Sequence, residues 1–278
     1  MLPRPKKRLG QHFLTDRHYL DRIVGEIAPA PGEAMVEIGP GPGALTERLA
    51  QVIRPLHVVE IDRDLAADLR LRFAPDTVVV HEGDALAFDF ATLPAGLRVV
   101  GNLPYNVSTP LLFHVASFAP RVRDCVFMLQ KEVVERMVAK PDTPAYGRLS
   151  VMLQYRFAMS LAFRVPPGAF TPPPKVDSAI VRMAPLGEGR IAARDEAFFA
   201  RVVMAAFTKR RKTLRNALRG LVELDAFERT SIDPGRRGET LSMPEFVAIA
   251  DAGAGSDISS FPRRRESRLG PRLRGGDE

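Results

Sequence analysis

A doubly wound α/β sheet followed by a small all-α domain is the fold predicted by this 278-residue sequence. Three observations predict it. From residue 34 to residue 130, short β-type runs alternate with amphipathic helical stretches, the pattern of parallel strands joined by crossover helices. The first of these runs enters a glycine-rich turn, Gly39-Pro40-Gly41-Pro42-Gly43, just before a helical stretch. Beyond residue 195 the β-type runs cease and only helical periodicity remains.

The parallel strands are expected at Ala34–Ile38, Leu56–Ile61, Thr77–His81, Leu97–Gly101 and Asp124–Leu129. Between them, Ala44–Ile53, Arg63–Phe73, Thr109–Phe118 and Lys131–Ala139 carry apolar residues three and four positions apart, as crossover helices do. A helical stretch follows from Gly147 to Tyr155. Two further β-type runs, Ala158–Val165 and Val176–Met183, then flank a proline-rich loop and close the sheet as an antiparallel pair. Pro185–Arg194, glycine-rich and short of bulky apolar residues, reads as a linker. Asp195–Lys212, Thr213–Leu221, Val222–Arg229 and Pro244–Ala252 read as helices, with Thr213 and Ser242 as N-caps. From Gly253 onward glycine, serine, proline and arginine dominate without periodicity, so a disordered tail is expected. The expected division is therefore 1–187, 188–252 and 253–278.

Composition narrows the function classes. Apolar residues at 45% and charged residues at 26% match a soluble globular chain, and no apolar run approaches the ~18 residues of a membrane span. The first ten residues are basic, with no apolar core behind them, so no secretory signal is read and a cytoplasmic protein is expected. Cys125 is the single cysteine, and the five histidines never fall at metal-ligand spacing, so neither a disulfide nor a structural metal is expected. The net charge is +7. It is concentrated: residues 1–10 hold four basic side chains and residues 201–219 hold seven, neither with an acid, which leaves the body of the chain net negative. Two basic segments on an acidic body fit a polyanion-binding footprint as well as a solvated helix face and a frayed terminus.

The glycine turn lets the backbone approach a ligand at the amino terminus of a helix, where N–H groups are unpaired. Its spacing is ambiguous. Gly39, Gly41 and Ala44 satisfy a dinucleotide pattern, whereas Gly39, Gly41 and Gly43 satisfy the G-x-G-x-G of S-adenosylmethionine (SAM) binders. Glu60, which lies 21 positions after Gly39 at the end of the second strand, suits a ribose diol in either class. Asp84, after the third strand, is positioned to accept from an adenine amino group, although on its own it reads rather as a helix N-cap. Asp62 reads as the cap of the helix beginning at Arg63.

Asn102-Leu103-Pro104-Tyr105 follows the fourth strand directly. It presents an amide oxygen, main-chain carbonyls constrained by proline and an aromatic face at one sheet edge, which are the parts needed to hold an exocyclic amine. The reaction they suit is in-line displacement at a sulfonium methyl, where the sulfur leaves neutral and needs no acid. Orientation of the amine is then what a protein has to supply.

At this point the motifs together resemble a family, the bacterial small-subunit ribosomal RNA adenine N6-dimethyltransferases of the kasugamycin-resistance type. The resemblance runs from Lys6 to about Ala252 and rests on Gly10–Leu14, Glu37–Thr46, Val59–Asp62, Gly83–Ala85, Asn102–Tyr105, Phe170–Ser178 and Lys209–Asn216. It implies a Rossmann-like SAM-dependent methyltransferase sheet with a small C-terminal α-helical domain. It implies SAM contacts at His12, Leu14, Gly39, Gly41, Glu60, Asp84 and Asn102, with His12 standing where many members carry asparagine. It implies a catalytic set of Asn102, Leu103, Pro104, Tyr105 and Phe170, in which Phe170 faces Tyr105 across the target base; by its residues alone Phe170 reads as a packed aromatic beneath a rigid loop. RNA contacts are expected at Lys175, Lys209, Arg210, Arg211, Lys212 and Arg215. The implied activity is dimethylation of N6 on two adjacent adenosines in the 3′-terminal hairpin loop of 16S ribosomal RNA, by a monomer acting on the small subunit or its precursor. Three rivals are a large-subunit enzyme of the macrolide-resistance type, an NAD-linked oxidoreductase that would leave Asn102–Tyr105 unexplained, and a non-catalytic assembly factor.

Overall fold

The computed structural model describes residues 5–6, 9–209 and 211–254. Its strands are β1 (Phe13–Leu14), β2 (Met35–Ile38), β3 (Leu56–Glu60), β4 (Val78–Glu82), β5 (Leu97–Asn102), β6 (Val122–Gln130), β7 (Phe157–Val165), β8 (Phe170–Thr171) and β9 (Ser178–Pro185). Its helices are α1 (Arg17–Ile27), α2 (Thr46–Leu49), α3 (Arg63–Arg72), α4 (Ser108–Ser117), α5 (Lys131–Met137), α6 (Arg148–Gln154), α7 (Glu196–Thr208), α8 (Leu214–Ala217), α9 (Leu224–Thr230) and α10 (Met243–Gly253).

Among the described residues, seven strands form one sheet in the order β4-β3-β2-β5-β6-β9-β7. The first five of these are mutually parallel, while β9 runs antiparallel to both β6 and β7. Strand alternation decides which residues face which layer. On β6, Cys125, Phe127 and Leu129 join one core with Leu111, Leu112 and Val115 of α4 and Val134 of α5. Val126 and Met128 point the opposite way, into a second core with Leu20, Ile23 and Ile27 of α1 and Leu69 of α3. Helices therefore cover both faces. The chain moves outward from β2 in both directions, so the crevice between the carboxyl ends of β2 and β5 is the switch point at which α/β sheets take ligands.

A third core holds the C-terminal helices together. Phe198, Phe199, Val202 and Val203 of α7 pack with Leu214, Phe227 and Phe246, and Tyr146, Val151 and Tyr155 reach into it from around α6. Ser242 caps α10 in a reciprocal pair with Glu245, whereas Thr213 sits at the cap position of α8 without a side-chain capping bond.

Several boundaries differ from expectation. The helix expected over Ala44–Ile53 is only the single turn α2, flanked by turns; at its entrance Gly39, Gly41 and Gly43 adopt positive φ, which keeps the chain non-helical there. Pro185 ends β9 rather than opening the linker, and α7 stops at Thr208. Gly253 closes α10 instead of opening the tail. It lies so near Phe198 and Val222 that a Cβ there would stand 3.2 Å from each, which is why a glycine belongs to this packed helix end. The remainder of the expected tail, 255–278, lies outside the described residues, as does Arg210.

Candidate active site

The switch-point crevice is an open cleft of about 940 Å³, counting its mouth. Its lining includes His12, Gly39, Gly41, Glu60, Asp84, Asn102, Leu103, Pro104 and Tyr105. Residues scattered over more than ninety positions of sequence thus meet at one edge of the sheet.

The glycine turn is tight for a steric reason. Gly39 has φ +67°, and a Cβ on it would stand 3.3 Å from the Asn102 carbonyl oxygen. Gly101, which belongs to no glycine motif, has a stronger requirement: a Cβ there would come within 2.2 Å of the Ile38 carbonyl oxygen. The missing side chains let the ends of β2 and β5 approach, and so carry Asn102 up beside the turn.

Two acids lie beneath the turn. Glu60 is buried; its Oε2 accepts from the Gly41 N–H at 3.0 Å and its Oε1 from the Asp62 N–H at 2.9 Å. Burial raises its carboxyl pKa above the ordinary value, with the two amides pulling the other way. Glu37, on β2, is buried completely and accepts a 2.7 Å bond from the Thr46 hydroxyl. Burial pushes its pKa up to about 7, and Glu60 nearby adds to the shift. In the sequence Glu37 stands out only as part of a motif; nothing local marks it as a titrating group. Asp84 is exposed at the cleft, and its Oδ1 accepts from the Leu86 N–H, capping a turn rather than a helix. Asp62 does cap α3, through the Asp64 N–H, and also anchors the amino-terminal segment: Lys6 Nζ lies 2.6 Å from its Oδ1, and Gln11 Nε2 donates to its Oδ2 at 3.0 Å.

That segment roofs the cleft. β1 pairs antiparallel with β8, Phe13 opposite Thr171 and Leu14 opposite Phe170, so the roof and the proline-rich loop form one two-stranded ribbon. Asn102 Nδ2 donates to the His12 carbonyl at 3.0 Å. The His12 ring stacks on Tyr105, with centroids 5.8 Å apart and planes inclined by 24°. The Tyr105 hydroxyl lies 2.6 Å from Ser178 Oγ, and burial raises its pKa, so the phenol stays neutral.

Two expected site residues lie elsewhere. Phe170 is buried in the core shared with α1 and the reverse face of the sheet, and does not line the cleft; its neighbour Thr171 is the exposed one, as alternation along β8 requires. The geometry is that of a packed aromatic under the loop. Leu14, one position past the cleft lining, faces the same core and borders a smaller hollow under the turn beside Gly39, Gly41 and Asn102. Lys175 is exposed in the loop after β8. Lys209, Arg211, Lys212 and Arg215 are exposed around the end of α7 and the start of α8, away from the cleft lining, and none has an ion-pair partner among the described residues. Among the described residues no cluster of three or more His, Cys, Asp or Glu is arranged to hold a metal ion, and no helix is long and apolar enough to cross a membrane.

Comparison with known proteins gives consistent matches. The family model described as ribosomal RNA adenine dimethylase matches residues 3–253. A ribosomal RNA small subunit methyltransferase A of Aromatoleum aromaticum is 61% identical over 248 residues, 89% of this chain and 94% of that protein. The protein of the same name from Thiobacillus denitrificans is 56% identical, across 88% of this chain and 96% of its own. Among solved structures, a dimethyladenosine transferase from Plasmodium falciparum superposes with a TM-score of 0.75 at 25% identity, covering 86% of this chain and 96% of that one. The 23S rRNA methyltransferase ErmE superposes with a TM-score of 0.68 at 25% identity, covering 87% and 99%.

Proposed function

Because this chain belongs to the ribosomal RNA adenine dimethylase family, we propose that it dimethylates N6 of two adjacent adenosines in the 3′-terminal hairpin loop of 16S ribosomal RNA, with SAM as methyl donor, acting as a monomer on the small subunit or its precursor. The observation that carries this reading is the Asn102 amide, held by the His12 carbonyl at 3.0 Å and flanked by Tyr105 at the switch-point cleft. The relatives at 52–61% identity carry small-subunit names, which favours that target over the large-subunit alternative.

The lining fits a nucleoside donor. Glu60 offers buried carboxylate oxygens to a ribose diol, Asp84 offers an exposed acceptor at the same edge to an adenine amine, and the glycine turn lets main chain close on the remainder. His12 borders this space and Leu14 backs it from below. When bound, SAM supplies a methyl group on a sulfonium whose sulfur leaves neutral. The chain's own part is orientation: the Asn102 Oδ1 and the main-chain carbonyl of Leu103 or Pro104 accept from the target amine, drawing its lone pair out of conjugation and toward the methyl carbon, while Tyr105 stacks on the base. A base in a hairpin loop has to be splayed out to reach such a cleft, which the exposed loop carrying Lys175 is suited to assist. Phe170 serves this site by supporting that loop from the core. In this reading residues 1–187 form the catalytic unit, and the helices up to Ala254 form an RNA-binding unit whose cluster Lys209, Arg210, Arg211, Lys212 and Arg215 meets phosphate.

Mass mapping of small-subunit RNA incubated with the purified protein and SAM is the test. Two adjacent N6,N6-dimethyladenosines are expected. Absence of methylated adenosine, or calorimetric binding of NAD tighter than of the demethylated SAM product, would overturn the assignment.

A further inference from the structure

His12 is held by two hydrogen bonds and one ring contact. Its Nδ1 lies 2.9 Å from the Pro172 carbonyl oxygen. A carbonyl only accepts, so Nδ1 carries the hydrogen and donates. Its own carbonyl accepts from Asn102 Nδ2 at 3.0 Å, and its ring lies against Tyr105. The bond to Asn102 decides which end of the amide faces the cleft: with the NH2 group taken by a carbonyl, Oδ1 is the atom left to accept, and it makes no hydrogen bond among the described residues. An amide turned the other way would offer the target amine two more donors and hold nothing.

We infer that His12 is a positioning residue for methyl transfer: its imidazole, by donating to the Pro172 carbonyl, pins residue 12 so that the His12 main-chain carbonyl keeps the Asn102 amide with Oδ1 toward the target amine. This rests on the function proposed above and goes beyond a cofactor contact for His12. Backbone pairing alone leaves residue 12 outside the ribbon, since the paired residues begin at Phe13. The Nδ1–H bond extends the connection between roof and loop by one residue, to the one whose carbonyl Asn102 needs. The same bond defines the chemistry that substitutes for imidazole. An asparagine at position 12 has a side-chain N–H for the same carbonyl, whereas alanine has none.

The test uses the full chain with small-subunit RNA and saturating SAM, comparing His12→Ala and His12→Asn with the unaltered protein. The single-turnover rate of methyl transfer is read together with the cofactor-product dissociation constant and the thermal transition. His12→Ala is expected to slow the chemical step by between about tenfold and a hundredfold, the scale of a misaligned reacting group. The loss is expected to persist at saturating cofactor, and His12→Asn is expected to recover to within about threefold. A His12→Ala rate within threefold of the unaltered protein overturns the inference. So does a loss that vanishes when cofactor is saturating, or a His12→Asn variant as slow as His12→Ala while still folded. Failure of the unaltered protein to methylate adenosine would instead defeat the proposed function, and the two outcomes are distinct.

Discussion

The Tyr105 hydroxyl stands 2.6 Å from Ser178 Oγ, which ties the loop after β5 to the first residue of β9 across the end of β6. The aromatic face is thereby fixed by the antiparallel part of the sheet, not by its own loop alone. One neutral hydrogen bond is worth about 1 kcal/mol net, so Ser178→Ala should lower methyl transfer by roughly fivefold, read at saturating SAM. Asn102→Ala and Tyr105→Ala should abolish transfer while the thermal transition stays in place. Near-normal turnover in either of the latter would remove the motif from the site.

Glu37 makes folding depend on pH. Its carboxyl is held up at about 7 in the folded chain against an ordinary 4.5, so between those values the folded state holds a proton that the unfolded state has lost. The associated stability is complete below pH 4.5, falls as pH rises toward 7, and levels off above it. Its size is about 3 kcal/mol, since each tenfold gain in proton affinity on folding is worth about 1.36 kcal/mol. Urea unfolding at about pH 5 and about pH 8, on either side of that titration, should show the unaltered protein losing more stability across this range than Glu37→Gln. Parallel pH profiles would mean that Glu37 is already charged.

The basic segment should supply affinity for RNA without reading sequence. In Lys209→Ala/Arg211→Ala/Arg215→Ala the apparent substrate constant should rise and the salt slope should fall by roughly one for each phosphate no longer neutralised. SAM affinity should not change, because none of these residues lines the cleft. Equal salt slopes for variant and unaltered protein would take the segment out of the RNA footprint.

A chain ending at Ala254 should keep both its thermal transition and its activity. It retains Gly253 against Phe198 and Val222, and the 24 residues removed are too poor in apolar side chains to build a core of their own. A loss beyond about tenfold, some 1.4 kcal/mol, would make the removed segment an RNA-binding arm.

What is legible in the sequence follows from how far apart the determining contacts lie. The parallel strands are readable because strands covered on both faces appear as continuous apolar runs, and the cleft residues other than His12 because each stands at or just after a strand's carboxyl end, where the ligand edge must be. Helix α1 escapes such a reading. Its inward stripe is only Leu20, Ile23 and Ile27, spaced among Arg17, His18, Asp21, Arg22 and Glu26. β1 has two residues and a partner that follows it by more than 150 positions, so no local pattern announces it. The position of Phe170 turns on the same pairing, since the register of β8 against β1 sends Phe170 inward and Thr171 outward. Arg98 is a further case. It is a charge in the middle of an apolar strand, buried where it donates to Asp124, Glu33 and the Ala28 carbonyl, and none of those partners is near it in sequence.

The ribbon of β1 and β8 also sets an order of events during synthesis. A nascent chain emerging from the ribosome exposes Phe13 and Leu14 early, yet their partners Thr171 and Phe170 arrive only after the whole parallel sheet has been made. Until then the roof has its ties to Asp62 and to Asn102, both of which lie within the first 102 residues. A truncated translation product ending before residue 170 would carry every cleft residue named above and lack the strand that pairs with the roof. Late synthesis of β8 thus separates possession of the cleft residues from possession of the complete ribbon.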